Sequence, residues 1–128
     1  NTTNRAQGDA KRVLCCCSAG LLRSPTAAVV LSMEPFHYNT RAIGLVEDYA
    51  LITMNPALAM WADEFVIMDE GHRNRLVSYL KEYSENPMLG DLMSKPIINL
   101  EVPDQYMRMN PTLKEIIRES YLSNQEDA

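Results

Sequence analysis

Cysteine is absent from this 128-residue chain everywhere except positions 15, 16 and 17. A disulfide framework needs cysteines spread along the chain, so that class is excluded. Three neighbours in an extended segment point to alternate sides, so Cys15, Cys16 and Cys17 cannot close on one metal ion. Histidine is scarce as well: His37 and His72 are the two, without ligand-like spacing. No run of about 18 apolar residues occurs, which excludes a spanning helix. Positive charge is in deficit, with 12 Lys and Arg against 17 Asp and Glu, a net charge of −5. That balance argues against a nucleic-acid partner, which needs a basic face. The opening NTTNRAQGDAKR is polar and lacks the apolar core of a signal peptide. The expectation is a reduced, cytoplasmic, monomeric protein without membrane or nucleic-acid partners. Residues 1–10 read as a flexible tail. Residues 11–128, in a chain that is 46% hydrophobic, read as one domain, with no repeats or low-complexity stretches.

What is present alternates. KRVLCC (11–16) is an apolar run that suits a buried strand, ending in the small-residue turn SAG. Ser24 can cap a helix with Pro25 at its first position, and PTAAVVLSM (25–33) supplies the body. YNTRAI (38–43) is a second strand, and NPALAMWADE opens a helix over about 56–62, capped by Asn55. FVIM (65–68) follows as a strand, then a helix over 70–83 with Leu76, Val77 and Leu80 inward. PIINL (96–100) is a fourth strand. A second Asn-Pro pair at 110–111 starts the last helix, which runs to about 122. Strands alternating with helices predict an open, mostly parallel α/β sheet.

Such sheets bind ligands beyond the C-terminal ends of their strands, often at a helix N-terminus. RVLCCCSAGLLRSPTAAVV occupies that place. Six residues after Cys15 and Cys16 stand Leu21 and Leu22; six after Cys17 stands Arg23. Only Cys17 makes C-x5-R, followed by Ser24. A loop of that size can turn the amides of Ser18, Ala19, Gly20, Leu21 and Leu22 inward around a phosphate. Arg23 then closes the ring with paired bonds to two phosphate oxygens. The same field favours the thiolate, the nucleophilic form of cysteine. The Ser24 hydroxyl can steady that sulfur.

These residues also resemble a family. VLCCCSAGLLRSPTA is similar to the active-site loop of the low-molecular-weight protein tyrosine phosphatases, V-x-x-x-C-x5-R-S-P. WADEFVIMDEGHRNRL (61–76) resembles their A-D-x-(I/V)-x-V-M stretch, and EVPDQY (101–106) their late (I/V)-P-D-P-Y segment. The resemblance runs in order over most of residues 11–122. It implies a three-layer sandwich with a four-stranded parallel sheet, helices on both faces, and a phosphate-binding loop after the first strand. It implies a cysteine-dependent phosphomonoesterase that works through phosphocysteine on phosphoproteins or aryl phosphates, without cofactor or metal. Carried over, the catalytic roles fall on Cys17, Arg23 and Asp104, with Asp104 the general acid. Leu21 and Tyr106 would wall the substrate slot. The chain departs from the pattern at Ala19-Gly20, where the family has Gly-Asn, and at Leu22, where it commonly has a second cysteine. Gln105 replaces the proline after the aspartate, and residues 44–55 are short, which implies a compact branch.

Two other functions stand beside this one. A non-catalytic phosphate or phosphopeptide binder would keep the loop without turnover. Arsenate reduction on this fold relays a disulfide through later cysteines, which this chain lacks. Cys15 and Cys16 read as small core residues, and Trp61 as core at helical spacing from Leu58. Asp63, Glu64, Asp69 and Glu70 read as a solvated carboxylate rim without metal geometry, and HRNR (72–75) as a solvated helix face.

Overall fold

Val13, Leu14, Cys15 and Cys16 are fully buried and Cys17 nearly so, the pattern of a strand covered on both sides. In the computed structural model, which describes residues 10–17, 23–45, 52–102 and 110–126, this strand is β1 (Arg12–Cys17). It is followed by α1 (Arg23–Ser32), β2 (Asn39–Gly44), α2 (Pro56–Trp61), β3 (Glu64–Ile67) and α3 (Gly71–Ser84). A short 3-10 turn (Pro87–Leu89), β4 (Ile97–Asn99) and α4 (Pro111–Glu126) complete the order. The strands pair in parallel in the order β2-β1-β3-β4. The expected α/β alternation is therefore what the chain adopts, with the 3-10 turn added.

The pleat divides the core in two. Val13, Cys15, Cys17 and Val66 face α1 and α4, meeting Ala27, Leu31, Leu113, Ile117 and Tyr121. Leu14, Cys16, Phe65 and Ile67 face α2 and α3, meeting Ala59, Leu76 and Leu80. Helices on both faces of one sheet make three layers. β2 is added on one side of β1 and β3 and β4 on the other, so the strand order switches at β1, whose C-terminal end is the usual ligand position in such sheets.

Local chemistry explains the ends of the elements. The Asn55 side chain accepts the Leu58 amide at 3.0 Å, and Pro56 begins α2 where no donor is needed. At the other end of α2, the Lys95 ammonium donates to the carbonyls of Ala59, Met60 and Ala62 at 2.8, 3.0 and 2.6 Å. Those carbonyls have no helical partners, and a cation there also suits the helix dipole. Trp61 is half-buried with the Arg41 guanidinium over its ring, 4.8 Å from the centroid.

Four expectations are corrected. Glu64 is not on a solvated rim: it is buried at the start of β3, where Lys11 donates to it at 2.9 Å and the Tyr121 hydroxyl at 2.8 Å. A buried carboxylate persists because both oxygens have donors. Its neighbour Asp63 is on the outside, holding the Arg12 amide at 2.9 Å and its guanidinium at 3.1 Å. His72 is not on a solvated face either. It is buried one turn before Leu76, and its Nδ1 accepts the Met68 amide at 3.3 Å. Finally, Ser24 is not the cap of a helix starting at Pro25, because α1 already begins at Arg23. Val77, expected inward, is half-buried beside the fully inward Leu76 and Leu80.

Candidate active site

Cys17 is the last residue of β1, and the parallel ladder with β2 ends there: the Leu45 amide donates to the Cys17 carbonyl at 2.8 Å. The strand was expected to stop at residue 16; the extra residue puts Cys17 on the sheet itself, with its backbone fixed. Its side chain faces α1, and its Sγ lies 3.1 Å from Ser24 Oγ. Ser24 is fully buried in the first turn of α1 and reaches the Ile43 carbonyl of β2 at 3.2 Å. Its hydroxyl thus ties three elements together at one end of the sheet.

That hydroxyl has one proton and, among the described residues, two acceptors in reach, the Ile43 carbonyl and the Cys17 sulfur. When it donates to Ile43, the bond to sulfur is made by the thiol proton. When the sulfur is ionised, the hydroxyl is the group with a proton to give it. The arrangement therefore offers a hydrogen bond to either state of Cys17.

The other two thiols are a contrast in the same strand. Cys15 lies on the α1 face and Cys16 on the α3 face, both fully buried. Burial, with the Glu64 charge as a smaller contribution, pushes the Cys15 thiol well up. Burial, with the neighbouring cysteines, does the same to Cys16. Neither ionises near neutral pH, so both are packing residues, as the sequence suggests.

Of the residues singled out from the sequence, Cys17 and Ser24 are brought into contact, and Arg23 begins α1. Ser18, Ala19, Gly20, Leu21, Leu22, Asp104 and Tyr106 lie outside the described residues. The approach to Asp104 is described. The Val102 amide donates to the Met68 carbonyl at 2.7 Å, just past β3, and Val102 shares the core cluster of Cys17. Among the described residues no group of His, Cys, Asp or Glu is placed to hold a metal ion. Nor is any helix long and apolar enough to cross a membrane. The Ile43 carbonyl and the Leu45 amide beside Cys17 and Ser24 are backbone groups and carry no sequence signal.

No protein-family model matches the chain, and no curated protein matches it in sequence. Solved structures do. Wzb of Vibrio vulnificus, in complex with benzylphosphonate, superposes with a TM-score of 0.65 at 14% identity, covering 92% of this chain and 99% of that one. A low-molecular-weight phosphotyrosine phosphatase of Vibrio cholerae gives 0.65 at 17% identity over 92% and 96%. The arginine phosphatase YwlE of Geobacillus stearothermophilus gives 0.55 at 15% identity over 91% and 94%. Nearly the whole length of each neighbour is matched, and identities this low speak to architecture: the chain has the fold of the low-molecular-weight phosphotyrosine phosphatases.

Proposed function

We propose that the chain is a cysteine-dependent phosphomonoesterase acting on phosphotyrosine and other aryl phosphates. The observation that carries this reading is the Cys17–Ser24 contact at the end of β1, in a chain whose C-x5-R spacing belongs to Cys17 alone. Architecture supports it, since the neighbours with this fold include tyrosine and arginine phosphatases.

The Cys17 thiolate attacks phosphorus in line and forms the S–P bond as the bond to the leaving oxygen breaks. Arg23 and the amides of 18–22 hold the three equatorial oxygens, where negative charge must be kept. Asp104 gives its proton to the leaving phenolate. In the second half the Asp104 carboxylate takes a proton from water, whose oxygen attacks phosphorus. The S–P bond breaks, phosphate leaves, and the Ser24 hydroxyl turns to the sulfur as its charge returns. Leu21 and Tyr106 would form an apolar slot for a flat phenyl ring. A guanidinium would want polar partners there, so phosphotyrosine is preferred over phosphoarginine, and over the shorter phosphoserine.

The test is turnover of phenyl phosphate and of matched phosphotyrosine and phosphoarginine peptides. Cys17→Ser should remove turnover, by at least about a thousandfold, while inorganic phosphate still binds. Asp104→Asn should lower kcat by about a hundredfold or more. Leu21→Thr should move preference towards phosphoarginine. Activity that survives Cys17→Ser, or that a chelator abolishes, overturns the mechanism. Phosphate binding without turnover in the wild type would show a binder instead.

A further inference from the structure

The exit of β2, residues 43–45, touches Cys17 from two directions. The Ile43 carbonyl takes the Ser24 hydroxyl that lies against the sulfur, and the Leu45 amide holds the Cys17 carbonyl. Between them, the Gly44 amide donates to the Ile52 carbonyl at 2.8 Å. What this short rail rests on therefore decides where the thiol sits. Its outermost carbonyl, that of Leu45, is just beyond the last rung of the β1–β2 ladder, and Leu45 itself is fully buried. Its donor comes from the far layer: the Tyr79 hydroxyl of α3, at 3.2 Å.

We propose that Tyr79 is a positioning residue for Cys17, acting through the Leu45 carbonyl and the β2 exit. The proposal rests on Cys17 being the nucleophile.

The local sequence explains how Tyr79 gets there. It stands three residues after Leu76 and one before Leu80, the two inward leucines of α3, so it flanks the buried stripe. Its ring packs against the same core cluster as Leu45 and lies against Tyr83 one turn on, with centroids 6.1 Å apart. The ring is thus fixed and its hydroxyl is aimed. Phenylalanine at this position would keep the packing and delete the donor. A carbonyl at the edge of a core does not stay unpaired, so the β2 exit must shift to find another partner. That shift moves the Leu45 amide relative to the Cys17 carbonyl and the Ile43 carbonyl relative to Ser24.

The consequence is specific to the sulfur. With Ser24 and the Cys17 backbone displaced, the thiolate is less well held and forms at higher pH. The closing experiment uses the full chain and iodoacetamide, with the modified residue located by peptide mass. Its pH dependence at Cys17 is compared in wild type, Tyr79→Phe and Lys95→Met, alongside thermal midpoints and aryl phosphate kinetics. Lys95→Met removes the ammonium from the α2 carbonyls and serves as a destabilised control at a separate place. For Tyr79→Phe the alkylation midpoint is expected to rise by about half a pH unit, about threefold less thiolate at a given pH below it. The aryl phosphate kcat should fall by about three- to tenfold with KM within about twofold. Lys95→Met should lower the melting temperature without moving the alkylation midpoint. An unmoved midpoint in Tyr79→Phe overturns the proposal, whatever its melting temperature does. Because alkylation needs no turnover, a wild type inactive on aryl phosphates would refute the phosphatase reading and leave this test intact.

Discussion

The two ends of β1 handle polar groups in opposite ways. Among the described residues at the Arg12 end the charges are paired: Lys11 with Glu64, Glu64 also with Tyr121, Arg12 with Asp63. The Lys11 ammonium also lies over the Tyr38 ring, 5.0 Å from its centroid, so its remaining surface is covered. At the Cys17 end a single hydroxyl lies between a thiol and a carbonyl, and either heavy atom of the Cys17–Ser24 pair can be the donor. Paired charges fix the sheet; a hydroxyl shared by two groups can move its proton. On the proposed mechanism, the same strand would be a support at one end and a reagent at the other.

Substitutions at the two ends should therefore separate stability from turnover. The largest expected effect is at the Cys17 end. Ser24→Ala should lower kcat on aryl phosphates by about ten- to a hundredfold, about 1.4–2.8 kcal/mol of barrier, with a stability loss of about 1 kcal/mol from the hydrogen bond to Ile43. A variant that melts far lower but turns over normally would break the comparison. At the other end, Glu64→Gln removes the charge facing Lys11 and should cost about 2 kcal/mol in urea unfolding, with kcat unchanged. Loss of turnover in that folded variant would mean the two ends are coupled. Lys95→Met, away from both ends, should cost about 1.5 kcal/mol by the same measurement.

The smallest effect is a pH dependence. The hydrogen bond from Arg12 holds the Asp63 carboxyl below the usual carboxylate range. A depressed folded-state pKa adds stability that is complete above the unfolded-state value and lost as pH falls through the folded-state one. Arg12→Gln should flatten the acid side of the stability curve below about pH 4. The pair is half-exposed, so the change should be a few tenths of a kcal/mol. An unchanged acid side would show that this ion pair contributes nothing.

These contrasts also mark what the sequence could say. The alternation of strands and helices was legible because each apolar run is short and flanked by polar or turn-forming residues, and Asn55-Pro56 placed the start of α2 to the residue. The spacing from Cys17 to Arg23 was legible because the loop chemistry is local in sequence. The fate of Glu64 was not: its partners Lys11 and Tyr121 are 53 and 57 residues away. A carboxylate beside Asp63 reads as surface until something distant pairs with it. His72 could have been read correctly, since His72, Leu76 and Leu80 recur at the four-residue spacing of one helix face. Of the two roles the sequence suggests for Ser24, the contact with the Cys17 sulfur is present, but the helix cap fails, although a Ser-Pro pair is a common helix start. The helix instead begins one residue before it, freeing the hydroxyl for Cys17 and Ile43.

The single proton of Ser24 makes the charge on sulfur visible from the backbone. While Cys17 is a thiol, the Ile43 carbonyl is hydrogen-bonded to that hydroxyl and its stretching frequency is lowered. On the proposed mechanism, ionising the sulfur would rotate the hydroxyl away, and forming phosphocysteine, which neutralises the sulfur, would let it rotate back. A carbon-13 label at the Ile43 carbonyl would then report the chemistry two bonds away as an infrared band that rises on thiolate formation and falls again when phosphorus is bound. The catalytic cycle would be readable as the turning of one hydroxyl, without any probe touching the nucleophile.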